Sequence, residues 1–170
     1  MLFRRKPREV EELPVGGEVV VPIDGQTAAL RDELGLHRLW YLELRLREEL
    51  ARAARTGSIF SLAAWQPRLL PGDALASDVA QQVAGLIAGG LRFYDLVARA
   101  DDQRFVALLL DADYPGACTV TYRIKADIQQ KIPGPGRWRA GVATFGIDGV
   151  DGNALIHTAF RRLEEEALAA

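Results

Sequence analysis

Six apolar segments follow one another in a definite order between residues 59 and 145. Four have the length of β-strands, at 59–65, 95–100, 105–110 and 138–145. The other two are predicted helices, at 79–87, where the apolar residues have helical spacing, and at 115–131. Because strand and helix periods bury different sets of side chains, the sequence predicts strand–helix–strand–strand–helix–strand. This order is typical of an α+β domain.

The predicted fold class is α+β with a βαββαβ core, the ferredoxin-like arrangement of an antiparallel sheet with two helices on one face. The polar turn at 101–104 is short enough for a hairpin between the second and third core strands. Two further helices flank this core. One carries leucines at helical spacing over 39–50 and ends near Gly57, and the other carries its apolar residues over 155–163.

The chain has 170 residues, which suits one domain with a short appendage. Residues 1–26 are predicted to be that appendage, because proline and glycine interrupt them and only 18–23 resemble a strand. They either add a strand to a sheet edge or stay mobile. Residues 27–170 are predicted to be the folded domain, with turns at 71–73 and 133–136.

Charge and cysteine content exclude several classes of protein. Lys plus Arg number 21 and Asp plus Glu 23, and this near-neutral balance argues against a nucleic-acid partner. No apolar run reaches the roughly 18 residues of a transmembrane segment. Cys118 is the single cysteine, so neither an internal disulfide nor a zinc site made of cysteines is available. A reducing, cytoplasmic location is the natural expectation.

Residues 95–109 resemble the stretch around the Gly-Gly-Asp/Glu-Glu-Phe signature of diguanylate cyclases, the GGDEF domains. Blocks at 49–53, 109–117 and 141–145 support the same alignment, which extends over about residues 32–163. The resemblance implies the nucleotide-cyclase palm fold. It also implies an ancestral activity in which two GTP molecules, one on each subunit of a dimer, are joined into cyclic di-GMP. That chemistry needs carboxylates to hold two magnesium ions.

The signature itself departs from the family pattern and reads Asp101-Asp102-Gln103-Arg104-Phe105. On the resemblance, both glycines are replaced by aspartates, the metal-binding acid by Gln103 and its acidic neighbour by Arg104. The family's other metal-binding aspartate, at the end of the first core strand, aligns with Gln66, and a second aspartate two residues on aligns with Arg68. An amide is a poor magnesium ligand, and a guanidinium repels a cation.

Other parts of the GTP site are altered as well. The loop after the first core strand is shorter than in the family, and the lysine expected at the phosphates falls within Glu164-Glu165-Glu166-Ala167. We therefore expect that diguanylate cyclase activity is lost. No catalytic residue, metal ligand or cofactor is assigned, and residual GTP turnover is the least favoured hypothesis.

One ligand site is retained on the resemblance. Many GGDEF domains bind their product at an inhibitory Arg-x-x-Asp motif, and Arg92-Phe93-Tyr94-Asp95 stands five residues before the signature. The further arginine of that site aligns with Arg123. Arginine forks bind phosphate or the Hoogsteen edge of guanine, and a carboxylate accepts from guanine N1 and N2. These residues, Arg92, Asp95 and Arg123, are the candidate cyclic di-GMP site.

Simpler structural roles compete with each of these assignments. Asp95 is also suited to a turn or cap, although ligand binding is the favoured role, and Phe93 and Tyr94 are compatible with core packing. Asp111 and Asp113 have the spacing of a metal-binding pair, but on the resemblance the family has a capping turn at this position. The histidines, His37 and His157, have no ligand partner at a suitable spacing, and the three tryptophans, Trp40, Trp65 and Trp138, fit a core or a partner-binding face.

Two hypotheses for the function follow. The leading one is a catalytically inactive GGDEF-like receptor that binds cyclic di-GMP and signals to an unidentified protein partner, with the ligand also able to link two subunits into a homodimer. The alternative is a nucleotide-free interaction or scaffolding domain that kept only the fold. Its contacts would be made by the helix over 39–50 and by the appendage.

Overall fold

The computed structural model describes residues 30–70, 73–132 and 137–168. The five strands of the described sheet are β1 (His37–Arg38), β2 (Phe60–Pro67), β3 (Leu96–Arg99), β4 (Phe105–Leu110) and β5 (Trp138–Thr144). The helices are α1 (Leu39–Thr56), α2 (Ser77–Gly90), α3 (Tyr114–Lys131) and α4 (Gly152–Leu168). The predicted appendage at 1–26 and the predicted turn positions 71–72 and 133–136 lie outside the described residues.

The sheet has the strand order β1-β3-β4-β2-β5. Strand β2 pairs antiparallel with both β4 and β5, and β3 pairs antiparallel with β4, so the predicted βαββαβ core is confirmed. The sheet has one further strand that the sequence did not predict, β1, which runs parallel to β3 at one edge. Strand β1 has only two residues, which is too short to show a period of two in the sequence.

Helices cover both faces of the sheet. Alternate residues of β2 face opposite ways: Ala63 and Trp65 pack in the cluster with α2 and α3, whereas Leu62 and Ala64 pack in the cluster with α1 and α4. The two core helices thus share one face, as predicted, and the flanking helices cover the other. Because both faces are buried, β2 reads as one continuous apolar run.

The strand register gives the sheet two distinct ends. At one end, Trp65 is paired with Phe105 and Pro67 with Trp138, beside the turn at 101–104; we call this the hairpin end. At the other end, Phe60 is paired with Leu110, beside the turn before β3 and the start of α3; we call this the far end. Predicted site residues therefore fall into two groups, one at each end.

Several local predictions are confirmed by the boundaries of the helices. Helix α1 stops at Gly57, whose φ of 70° is the left-handed conformation that favours glycine. Asp113 caps α3 by accepting a hydrogen bond from the Gly116 amide, which supports a cap at this position. Trp65 and Trp138 are buried, whereas Trp40 on α1 is 48% exposed. No helix among the described residues has both the length and the apolar character needed to cross a bilayer.

Candidate functional site

The three residues of the predicted ligand site line one cleft at the far end of the sheet. The cleft has a volume of about 520 Å³ and lies between the end of α2, the turn before β3 and the first half of α3. Arg92 and Asp95 come from the turn, and Arg123 comes from α3. Residues that are 31 positions apart in the sequence, from Arg92 to Arg123, are thus brought to a common surface.

Asp95 is held in place by two backbone amides. Its Oδ2 accepts from the Arg92 amide at 3.0 Å, and its Oδ1 accepts from the Leu110 amide at 3.1 Å. The carboxylate thereby joins the turn at 92–95 to the last residue of β4. Each carboxylate oxygen has a second lone pair, so Asp95 retains the capacity to accept from a ligand.

The two arginines are exposed and use only part of their donor capacity. Arg92 donates from Nη1 to the Tyr94 hydroxyl at 3.0 Å. Arg123 donates from Nη2 to the Gly90 carbonyl, at the end of α2, at 2.7 Å. Since a guanidinium carries five N–H donors, most of the donors on both residues remain available. Both guanidinium groups belong to residues that line the cleft and can contribute to anion recognition there.

The aromatic residues of the motif lie outside the core. Phe93 is 98% exposed and Tyr94 is also exposed, with their ring centroids 5.3 Å apart. Core packing of these two residues, one of the roles compatible with the sequence, is therefore wrong. Because 92–95 form a turn at the end of the sheet, the intervening aromatic side chains point away from the two apolar clusters.

The cleft also contains carboxylates that the sequence did not assign to it. Asp111 and Asp113 line it together with Asp95. Asp113 serves as the cap of α3, and Asp111 lies 3.6 Å from a guanidinium nitrogen of Arg52. The mixture of arginine and aspartate suits a ligand that presents both acceptors and N–H donors, rather than a bare anion.

At the hairpin end, Asp101 is engaged by its own turn. Its Oδ1 accepts from the amides of Gln103 at 2.9 Å and Arg104 at 2.8 Å, and its Oδ2 lies 2.5 Å from Arg104 Nε. Partial burial acts to raise the pKa of Asp101, but these hydrogen bonds and the Arg104 charge outweigh it, so the pKa is lowered. Asp101 is thus a charged turn residue paired with a cation.

The remaining signature residues are also engaged within the fold. Gln103 donates to the Asp73 carbonyl at 3.1 Å, and Asp102 lies 3.5 Å from Arg99. The Arg104 guanidinium lies 4.5 Å from the Phe160 ring centroid, and Phe105 is fully buried. These contacts hold the hairpin in place. Glycines at positions 101 and 102 could not make the side-chain contacts of the two aspartates.

The residues at the hairpin end do not fit a magnesium site. Gln66 and Gln103 offer amides, and Arg68 and Arg104 offer positive charge, at the positions where the resemblance requires carboxylates. Asp101 is paired with Arg104. Within the described ranges, no three His, Cys, Asp or Glu side chains are grouped so that they could hold a metal ion.

A second cleft, at the edge strand β5, was missed in the sequence. Arg68, Arg137 and Arg139 line it together with Lys125 and Glu166. The only signal in the sequence is the alternation of arginine at 137 and 139. That alternation cannot be interpreted until β5 is known to be an edge strand and β2 to end beside it.

Comparison with known proteins identifies the fold. The chain has a TM-score of 0.72 and 25% identity to diguanylate cyclase SiaD of Pseudomonas aeruginosa, solved with its activator SiaC, covering 85% of this chain and 60% of that one. The GGDEF domain of DgcB from Caulobacter crescentus, solved with c-di-GMP, gives a TM-score of 0.73 and 17% identity, covering 84% of this chain and 92% of that one.

The GGDEF domain of TpbB (YfiN) from P. aeruginosa gives a TM-score of 0.71 and 23% identity, covering 82% of this chain and 90% of that one. No family profile and no curated protein matches the sequence. The chain spans 60% of the length of SiaD, which is a longer protein. The architecture predicted from the sequence is confirmed: this chain has the nucleotide-cyclase palm fold of the GGDEF domains of diguanylate cyclases.

Proposed function

We propose that this chain is a catalytically inactive GGDEF-like domain that binds cyclic di-GMP in the far-end cleft and passes the signal to a protein partner. The observation that carries the proposal is that Arg92, Asp95 and Arg123 line one cleft of about 520 Å³. This volume is in the range of small-molecule sites. The DgcB domain, which shares the fold, was solved with c-di-GMP.

The chemistry of the cleft matches the ligand. Cyclic di-GMP presents two phosphates and two guanines, so it carries acceptors for arginine forks and N–H donors for a carboxylate. Arg92 and Arg123 retain free donors, and Asp95 retains free lone pairs. A bound ligand would connect the turn at 92–95 to α3. In this way it would alter the surface that a protein partner or a second copy of the chain contacts.

The loss of cyclase activity is proposed from the hairpin end. The acids present there are paired with arginine, and the positions that need metal ligands hold Gln66, Arg68 and Gln103. We expect no conversion of GTP to cyclic di-GMP in the presence of magnesium. Detection of that product by chromatography would contradict this part of the proposal.

A nucleotide-free scaffolding domain is the second candidate, and one observation favours it. Both oxygens of Asp95 already accept backbone amides, so a structural role alone accounts for an aspartate at this position. On this hypothesis the arginines are ordinary surface residues. The two candidates differ in one measurable property, which is whether the purified chain binds cyclic di-GMP.

Isothermal titration calorimetry of the full chain with cyclic di-GMP tests the proposal. We expect saturable binding that weakens by roughly tenfold or more in Arg92→Ala and in Arg123→Ala, because each removes charged hydrogen bonds to the ligand. The matched control is Arg161→Ala, which removes an exposed arginine of α4 that does not line the cleft. No heat at high micromolar ligand, or equal affinity in all variants, would overturn the receptor hypothesis.

A further inference from the structure

Asp111 is the carboxylate of the far-end cleft with the fewest fixed contacts. Three aspartates line this cleft, namely Asp95, Asp111 and Asp113. Both oxygens of Asp95 accept backbone amides, and Asp113 accepts the Gly116 amide as the cap of α3. The side chain of Asp111 is 67% exposed, and its ion pair with Arg52 spans 3.6 Å, which is too long for a hydrogen bond. Both of its oxygens are therefore available to accept from a ligand.

Arg52 does not need Asp111 as its counter-ion. The Nε of Arg52 donates to Glu49 Oε2 at 2.7 Å, and the side chain of Glu49 is only 8% exposed. The contact with Asp111 is longer and joins two side chains that are 39% and 67% exposed. Exposed ion pairs of this kind contribute little to stability. The pair with Arg52 alone therefore gives a weak reason for a carboxylate at position 111.

The backbone conformation of Asp111 explains a turn at this position but not a carboxylate. Its φ of 49° is left-handed, and in the part of the chain that the structure describes it is the single non-glycine residue with a positive φ. This conformation carries the chain from the end of β4 towards the start of α3. Glycine adopts it without steric cost, and asparagine tolerates it as aspartate does. A residue without charge would thus serve the turn equally well.

We propose that Asp111 binds a guanine base of cyclic di-GMP and makes the far-end cleft selective for guanine. Its two oxygens match the adjacent N1–H and N2–H donors of guanine, which a carboxylate accepts as two parallel hydrogen bonds. A base without the N2 amine leaves part of the carboxylate unpaired. A site that hydrogen-bonds an N–H group discriminates against a ligand that lacks it. This inference rests on the proposed function and adds a base contact outside the Arg-x-x-Asp motif.

The charged residues of the cleft then divide the ligand between them. Cyclic di-GMP has two phosphates and two guanines. Arg92 and Arg123 supply donors for the phosphates, and Asp95 and Asp111 supply acceptors, one for each guanine. Asp95 has to share its oxygens with two backbone amides, whereas Asp111 offers both of its oxygens to the base. The larger contribution to base selectivity therefore belongs to Asp111.

Calorimetry of the full chain with cyclic di-GMP and with cyclic di-IMP tests the proposal. Hypoxanthine replaces guanine in the second ligand, so the N2 amines are absent while the phosphates and the N1–H groups are kept. We expect the unchanged chain to bind cyclic di-GMP about tenfold more tightly than cyclic di-IMP, and Asp111→Ala to reduce this ratio by about fivefold. Asp127→Ala should keep the ratio of the unchanged chain. It is the matched control, because Asp127 lies on α3 in a similarly long ion pair, 3.9 Å from Lys131, and does not line the cleft.

Asp111→Gly separates the ligand contact from the role of Asp111 in the turn. Glycine suits the left-handed backbone, so the melting temperature should stay within about 3 °C of the unchanged chain. The preference for cyclic di-GMP should nevertheless fall as it does in Asp111→Ala. If the unchanged chain binds cyclic di-GMP and both Asp111 variants keep its ratio, this inference is overturned while the proposed function stands. No binding of cyclic di-GMP by the unchanged chain would overturn the proposed function together with this inference.

Discussion

Asp95 combines two roles that must be separated before its contribution to ligand binding can be measured. Its carboxylate closes the turn at 92–95 and also satisfies the Leu110 amide at the end of β4. Removing it therefore disturbs the fold together with any ligand contact. Arg92 is different, because its guanidinium is exposed and bonds only to the exposed Tyr94 within the described residues.

The first prediction compares these two residues in the absence of ligand. Asp95→Ala should lower the free energy of unfolding by about 1–3 kcal/mol, because it leaves two backbone amides without their acceptor. Arg92→Ala should change it by no more than about 0.5 kcal/mol. Urea denaturation measures both values. An Asp95→Ala variant as stable as the unchanged chain would contradict the structural role, and loss of stability in Arg92→Ala would make it unsuitable as a binding test.

The second prediction concerns the ion pair between Asp148 and Arg162. Two guanidinium nitrogens of Arg162 lie 2.9 and 2.7 Å from the two oxygens of Asp148, whose side chain is 8% exposed. Burial acts to raise the pKa of Asp148, but the Arg162 guanidinium and the Thr144 amide outweigh it and lower the pKa. A lowered pKa in the folded state stabilises the fold above the unfolded pKa, about 3.9, and this stabilisation is lost as the pH falls through the folded value.

We therefore expect Asp148→Asn to lower the free energy of unfolding by about 1–3 kcal/mol at pH 7. The difference between the variant and the unchanged chain should diminish below about pH 4. Urea denaturation at several pH values measures this difference and cancels the contribution of other carboxylates, such as Asp101. A difference that stays constant from pH 7 to pH 3 would contradict the assignment.

At the scale of elements, the contact between β5 and α4 depends on the absence of a side chain at Gly141. A Cβ built at this position would lie 2.2 Å from the Ala159 carbonyl oxygen, which belongs to the backbone of α4. Backbone atoms cannot move aside as the end of a flexible side chain can. Helix α4 therefore packs on β5 at a distance that only glycine permits.

The third prediction is that Gly141→Ala destabilises the fold by about 1–3 kcal/mol or more, because α4 must shift away from β5. Gly89→Ala is the matched control: Gly89 lies in α2 with no atom within 4 Å of a built Cβ, so alanine there should be neutral or stabilising by up to about 1 kcal/mol. Equal stability of Gly141→Ala and Gly89→Ala in urea would contradict the proposed close packing.

Most elements could be predicted from the sequence because they bury long periodic segments. The run at 59–65 and the helix ending at Gly57 have strong local signals, and the structure has them at Phe60–Pro67 and Leu39–Thr56. Strand β1 could not be predicted, because its two residues pair only after β3 has been placed. The hydrogen bond from the Leu110 amide to Asp95 could not be predicted either, because the two residues are 15 positions apart in the sequence.

At the scale of the whole molecule, a nearly balanced charge is distributed unevenly between the two ends of the sheet. The far-end cleft contains arginines together with Asp95, Asp111 and Asp113. The β5 cleft at the hairpin end has four cations and one acid. Net charge alone therefore could not predict the charge of either cleft. The composition determines the total charge of the chain, whereas the fold determines which charged side chains line each cleft.

The fourth prediction is that restoring two carboxylates does not restore cyclase activity. In the double variant Gln66→Asp, Gln103→Glu, the new acids still stand beside Arg68 and Arg104, and Asp101 and Asp102 still occupy the positions where the resemblance requires glycine. Positive charge next to the new carboxylates opposes cation binding, and the aspartate side chains limit the approach of a nucleotide. Catalysis needs the metal ligands, the open hairpin and the phosphate contacts at once.

We expect the double variant to form no cyclic di-GMP from GTP and magnesium, as measured by chromatography, while thermal melting shows that it is folded. A comparison variant adds Asp101→Gly, Asp102→Gly and Arg104→Glu to the double variant. These changes open the hairpin, but they also remove the ion pair between Asp101 and Arg104 that holds it in place. If the double variant alone produced cyclic di-GMP, the loss of activity would reside in two side chains rather than in the whole hairpin end. The inactivity we propose would then depend on two replaceable side chains and not on the packing of this end of the sheet.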